Sequence, residues 1–169
     1  MPRAVLIGPP GAGKSSVGRQ LAKILECEIL DTDLEIEKKS GKKIAEIFTE
    51  DGEPAFRALE REVVLTALTT ASGVVALGGG SILDNEVADY LSKSSIPIAY
   101  LEVSISQAAP RVGFNKERPL LALNPRQQWM SLMEKRRPIY ESLATFKVAT
   151  DNRKPAEVAQ EIASSIGAK

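Results

Sequence analysis

Ala4-Val5-Leu6-Ile7-Gly8-Pro9-Pro10-Gly11-Ala12-Gly13-Lys14-Ser15 sets a short apolar strand directly before the pattern G-x-x-x-x-G-K-[ST], with an amphipathic stretch behind it. That is the setting in which a Walker A loop forms. Glycines let the backbone wrap a polyphosphate so that successive N–H groups make an anion nest. The helix expected over residues 14–25 adds the positive end of its dipole at the same spot. Gly11, Ala12, Gly13, Lys14, Ser15 and Ser16 are the candidate nucleotide contacts. Lys14 supplies a point charge for the β- and γ-phosphates, and the Ser15 hydroxyl is placed to ligate Mg²⁺. The loop implies a protein that binds a nucleoside triphosphate.

With 169 residues the chain is sized for one domain, large enough for a three-layer core around a sheet. Lys and Arg number 22 against 22 Asp and Glu, so no global charge argues for nucleic acid or an acidic membrane surface. Histidine is absent, which removes Ser-His-Asp and Cys-His nucleophile systems, a histidine base and histidine metal ligands. The lone Cys27 excludes an internal disulfide and thiolate clusters, and suits a reducing compartment. No stretch resembles a signal peptide or approaches a membrane span. A soluble cytoplasmic protein is the expectation, and low aromatic content with balanced charge favours a monomer.

Apolar strands alternate with helical patterns, which predicts a parallel sheet covered on both faces. Strands are expected at residues 3–7, 27–30, 74–77, 98–101 and 146–150. Their carboxyl ends form the edge where open α/β sheets bind ligands. Between the second and third strands lie helical patterns at 33–40, 44–48 and 54–70, too much chain for a simple crossover. Residues 33–61 therefore read as a substrate-binding insertion. Residues 112–126, polar and broken by Gly113, Pro119 and Pro125, read as a lid over the phosphates. A helix is expected over 127–143, kinked or divided by Pro138, and another over 155–166 with Pro155 at its first position.

Asp31-Thr32-Asp33 stands at the end of the second strand. Two acids one residue apart can divide labour, one facing a metal through water and one facing an acceptor hydroxyl. Thr32 or Asp33 could instead simply cap the next helix. Gly78-Gly79-Gly80 ends the third strand, where many P-loop proteins carry an acidic residue; its absence shifts metal organisation to Asp31. Arg57, Arg118 and Arg136 lie on the insertion, the lid and the late helix. An arginine pair facing one site suits a carboxylate, and an arginine on a closing loop suits charge on a transferred phosphoryl group. Asn115-Lys116-Glu117 lacks the acidic fourth residue of a guanine-reading loop. Lys38-Lys39 and Lys42-Lys43 lack interleaved aromatics and read as a solvated helix end.

These motifs, in this order and spacing, resemble the shikimate kinase family. The resemblance rests on residues 8–15, Leu30-Asp31-Thr32-Asp33, Phe56-Arg57 followed by Glu60, Leu77-Gly78-Gly79-Gly80, Arg118-Pro119-Leu120-Leu121, and Arg136 before Pro138-Ile139-Tyr140. It implies a single-domain, three-layer α/β/α P-loop fold over 1–169 with a five-stranded parallel sheet in the order 2-3-1-4-5. It further implies ATP-dependent phosphorylation of shikimate with Mg²⁺. By matching position, Asp33, Lys14 and Arg118 would be catalytic. Asp33, Arg57, Arg136, Gly78, Gly79 and Gly80 would bind shikimate, with Phe48 and Phe56 as apolar walls. Ser15 and Asp31, the latter through water, would hold the metal, and Arg111, Arg153 and Pro155 would sit on the adenine side. Pro110 before Arg111 interrupts the helical approach that the family uses there.

Two rival readings remain open at this stage. A gluconate-type sugar-acid kinase shares the loop and a carboxylated polyol acceptor, and Leu77-Gly78-Gly79-Gly80 with Phe56-Arg57 weighs against it. A nucleotide-binding regulatory module without catalysis is countered by intact Lys14, Ser15, Asp33 and Arg118.

Overall fold

The computed structural model describes residues 1–113 and 124–167. Five parallel strands form one sheet: β1 (Ala4–Ile7), β2 (Ile29–Asp31), β3 (Val74–Ala76), β4 (Ile98–Glu102) and β5 (Phe146–Ala149), in the spatial order β2-β3-β1-β4-β5. Val5 in the central strand is level with Val75 on one side and Ile98 on the other. Every residue of β1 is buried, as expected of a strand covered on both faces. The expected sheet order and class are what the chain adopts.

Eight helices surround the sheet among the described residues: α1 (Lys14–Ile24), α2 (Thr32–Ser40), α3 (Ile44–Glu50), α4 (Glu53–Thr70), α5 (Asn85–Lys93), α6 (Ile105–Gly113), α7 (Pro125–Leu143) and α8 (Pro155–Ser165). Helices α1 and α8 pack together, with Leu21, Val158, Ala159 and Ile162 inside the main core. The insertion has a small core of its own, in which Ile36, Ile47, Phe56 and Val63 gather Ile44, Phe48 and Leu59 around them. Burying such a cluster gives α2, α3 and α4 a reason to fold as a unit beside the sheet.

Several sequence expectations need correction. Helix α2 is capped by Asp31, not by Thr32 or Asp33: its carboxylate accepts the backbone N–H groups of Asp33 (3.0 Å) and Leu34 (3.4 Å). Helix α7 starts at Pro125 and continues through Pro138 undivided. Helix α6 likewise runs through Pro110 up to Gly113, so the interrupted approach expected before Arg111 does not occur. Helix α5, which the strand pattern alone did not single out, is capped by Asp84. Residues 112–126 were expected to be irregular; α6 and α7 claim both ends of that range, and 114–123, including Arg118, lie outside the described residues. The Lys38–Lys43 cluster, by contrast, is the solvated helix end expected of it, where Lys42 bonds to Glu50 (2.7 Å) and Asp51 (3.2 Å), Lys43 lies beside Glu37 and Lys39 pairs with Glu62.

Candidate active site

The end of β1 turns through Gly8–Gly13 into α1, with Gly13 left-handed at φ 88° where a side chain would be strained. Lys14 is buried, and its Nζ donates to the carbonyls of Gly8 (2.7 Å) and Pro9 (3.0 Å). Trp129 Nε1 donates to Pro10 O at 3.0 Å, and Arg111 Nη1 donates to Gly11 O at 2.8 Å. Each carbonyl from Gly8 to Gly11 thus accepts a side-chain donor. Ser15 Oγ donates to Asp31 Oδ2, which joins the loop to the end of β2. Ser16 faces outward to Arg19 (3.3 Å).

Asp31 does two jobs, since its other oxygen caps α2. Thr32 is fully buried and bridges two strand ends: Oγ1 donates to Ala76 O (3.3 Å) and accepts from Gly78 N (3.1 Å). This latch presses the Asp31–Asp33 turn against the glycine triplet. A Cβ on Gly78 would lie 2.6 Å from Asp33 Oδ1 and 3.1 Å from Glu60 Oε2. One on Gly79 would meet Arg136 Nη1 at 3.3 Å and Pro10 Cδ at 3.2 Å, and one on Gly80 would meet Arg57 Nη1 at 2.5 Å. The triplet is the floor on which Asp33, Glu60, Arg57 and Arg136 converge, and any side chain there would displace them.

The electrostatics of that floor favour an anion. Arg136 is 5% exposed, and its Nε has no hydrogen-bond partner. Burial and the nearby charge of Arg57 hold its pKa below the ordinary arginine value, against the opposing influence of Tyr140. Glu60 is buried, which pushes its carboxyl above the usual range despite a 2.7 Å ion pair with Arg57. Two crowded guanidiniums with an unused donor match the forked geometry of a carboxylate. Phe56 packs on Phe48 with ring centroids 4.6 Å apart, and the Arg57 guanidinium sits 5.2 Å from the Phe56 centroid.

On the other side, Gln107 Nε2 donates to Asn152 Oδ1 (3.2 Å), tying α6 to the turn after β5. There Arg153 donates to Ala149 O (2.8 Å) and pairs with Glu161 (2.6 Å), and Pro155 opens α8. Four residues that shape the site had no role assigned there from sequence: Glu60, Thr32 and Tyr140 stood only inside quoted motifs, with Thr32 otherwise a possible cap, and Trp129 was not singled out as a site residue. Glu60 had a signal, its spacing from Arg57; Thr32, Trp129 and Tyr140 had none, because each acts on a backbone group far away in sequence.

A glycine cradle at the end of β1, a serine–aspartate oxygen pair beside it and a buried anion floor across the sheet edge define a P-loop kinase for a small acidic acceptor. A family model described as shikimate kinase matches residues 10–167. The chain belongs to the shikimate kinase family. It is 53% identical to shikimate kinase of Thermobifida fusca (strain YX), over 99% of this chain and 96% of that one. It is 48% identical to shikimate kinase of Rhodococcus jostii (strain RHA1), over 98% of each. Shikimate kinase from Acinetobacter baumannii in complex with shikimate superimposes with a TM-score of 0.93 at 36% identity, covering 98% of this chain and 93% of that one.

Proposed function

We infer that this protein transfers the γ-phosphoryl group of ATP to the 3-hydroxyl of shikimate, giving 3-phosphoshikimate and ADP. The observation that carries the reading is the convergence of buried Arg136 and half-buried Arg57 on Gly79 and Gly80 beside Asp33. The two guanidiniums bind the acid's carboxylate, and Arg136 Nε gains the partner it otherwise lacks. Phe48 and Phe56 shield the ring's apolar face. The acceptor hydroxyl then meets Asp33, which orients it and accepts its proton as the new P–O bond forms. Lys14 transfers its donors from the Gly8 and Pro9 carbonyls to the phosphates, where charge develops. Arg118 completes this role from 112–126, read as the lid, and 33–61 as the acid-binding insertion.

The donor set also fits Mg²⁺. Hard oxygen ligands are what the ion takes, and it is satisfied by one or two protein oxygens with phosphates and waters. Ser15 Oγ and Asp31 Oδ2 form such a pair beside the cradle, and no cluster of three or more acidic, His or Cys side chains that could hold a metal alone occurs among the described residues. When bound, the ion neutralises phosphate charge. Ser15 would hold it directly and Asp31 through water. Adenine lies on the side of Arg111, Arg153 and Pro155. No helix among the described residues is long and apolar enough to cross a membrane; the partners proposed are ATP and shikimate, bound by a cytoplasmic monomer without nucleic acid.

A coupled assay of ADP release tests the reading. Shikimate should support turnover far above the rate with ATP alone, and gluconate should not. Equal or faster turnover with gluconate overturns the assignment.

A further inference from the structure

One face of α7 carries Trp129, Met133, Arg136 and Tyr140, spaced so that they lie above one another along the helix. All four are buried. Helical rise separates the outer two by about 16 Å. At one end the indole of Trp129 donates to Pro10 O (3.0 Å). At the other the hydroxyl of Tyr140 donates to Gly79 O (2.5 Å), while its ring stacks on Tyr100 with centroids 5.1 Å apart. Between them Arg136 faces the anion floor.

A trans peptide unit is planar, with its C=O and N–H pointing in opposite directions. Fixing the Pro10 carbonyl therefore aims the N–H of Gly11 away from α7, within the phosphate nest. Fixing the Gly79 carbonyl aims the N–H of Gly80 the same way, on the residue against which Arg57 rests. The two cradles also touch, since a Cβ on Gly79 would lie 3.3 Å from Gly8 O and 3.2 Å from Pro10 Cδ. We propose that Trp129 and Tyr140 are positioning residues: α7 is a strut that aims one amide of the donor cradle and one amide of the acid cradle and fixes their spacing. Neither side chain needs to touch a ligand to do this. The inference rests on the kinase reading above.

Mere satisfaction of buried polar groups would give both residues a stability role alone, and kinetics separate the two cases. Tyr140→Phe keeps the stacking on Tyr100 and removes the hydroxyl, with both its bond to Gly79 O and its hydrogen bond with Arg136; the KM for shikimate should rise about fivefold while that for ATP stays within about twofold. At position 129, Trp129→Phe and a benzothiophene isostere of the indole, which keeps the packing and loses the N–H, should show the reverse: about fivefold in the KM for ATP and little in that for shikimate. Calorimetric dissociation constants for ADP and shikimate on the same proteins should split in the same way. Equal rises for both ligands, or unchanged constants with only a lowered Tm, overturn the strut. Wild-type protein that binds both ligands but releases no ADP overturns the kinase reading while the binding split still judges the strut.

Discussion

Arg136→Met should make the protein more stable and nearly unable to hold its acid. The guanidinium is buried with an unpartnered Nε, in the field of a second guanidinium. Leaving a charged donor unsatisfied costs about 1–3 kcal/mol, and replacing buried charge by an apolar side chain of similar length is commonly neutral to stabilising. Against this stands the hydrogen bond with Tyr140, worth about 1 kcal/mol. The net gain is therefore about 1 kcal/mol, or roughly 2–4 °C in Tm for a chain of this size. The same change removes a charge-assisted contact to the acid worth about 1.5–3 kcal/mol, which is roughly a 10- to 150-fold loss of affinity. Thermal unfolding with and without shikimate reads both effects together. Wild type should melt lower alone and shift upward with the acid; the variant should melt higher alone and shift little at the same concentration. A variant that melts well below wild type yet keeps the full shikimate shift would refute the reasoning, because Arg136 would then be structural.

Asp33→Asn keeps most of the side chain's shape and removes its capacity to accept a proton, so kcat should fall by roughly 10²–10⁴ with the KM for shikimate changed far less; rapid-quench turnover checks this, and a kcat near wild type would remove Asp33 from proton transfer. Lys14→Met should abolish the Tm rise produced by ATP while leaving most of that produced by shikimate, because the lysine donates to the Gly8 and Pro9 carbonyls of the phosphate loop. Asp84→Ala removes the cap of α5 and the 2.6 Å contact to Arg61, costing about 1 kcal/mol. Burial pushes the Asp84 carboxyl up, but Arg61 and the backbone N–H groups of Val87 and Glu86 hold it below its usual 3.8. A lowered acid stabilises above its unfolded value and loses that contribution as pH falls. The Tm gap between wild type and Asp84→Ala should accordingly be full at neutral pH and narrow on acidification below 3.8; a gap that widens in acid would contradict the sign.

The nucleotide side was legible because its chemistry is local. Residues 8–15 form a contiguous pattern, and the peptide geometry that makes an anion nest needs nothing from elsewhere in the chain. Asp33, Arg57 and Arg136 were legible through their motifs, but their meeting on the glycine triplet was not, since it depends on how three separate elements cross one sheet edge. Asp31 illustrates a different gap: its metal role was legible but the cap was expected at Thr32 or Asp33, whereas the chain uses opposite oxygens of the Asp31 carboxylate for the cap and for Ser15. Helix α6 escaped notice because Pro110 looks like a breaker, yet it stands six residues into a short helix that carries it. Tyr140 and Trp129 act on carbonyls 61 and 119 positions away, and no periodicity records such a contact.

A crystal structure of the protein with ADP and shikimate tests the central claim most directly. The acid's carboxylate should lie between the guanidiniums of Arg57 and Arg136, with its 3-hydroxyl within hydrogen-bond distance of Asp33 and on the side of the cradle. Shikimate bound elsewhere, or turned so that a different group meets Asp33, would contradict it.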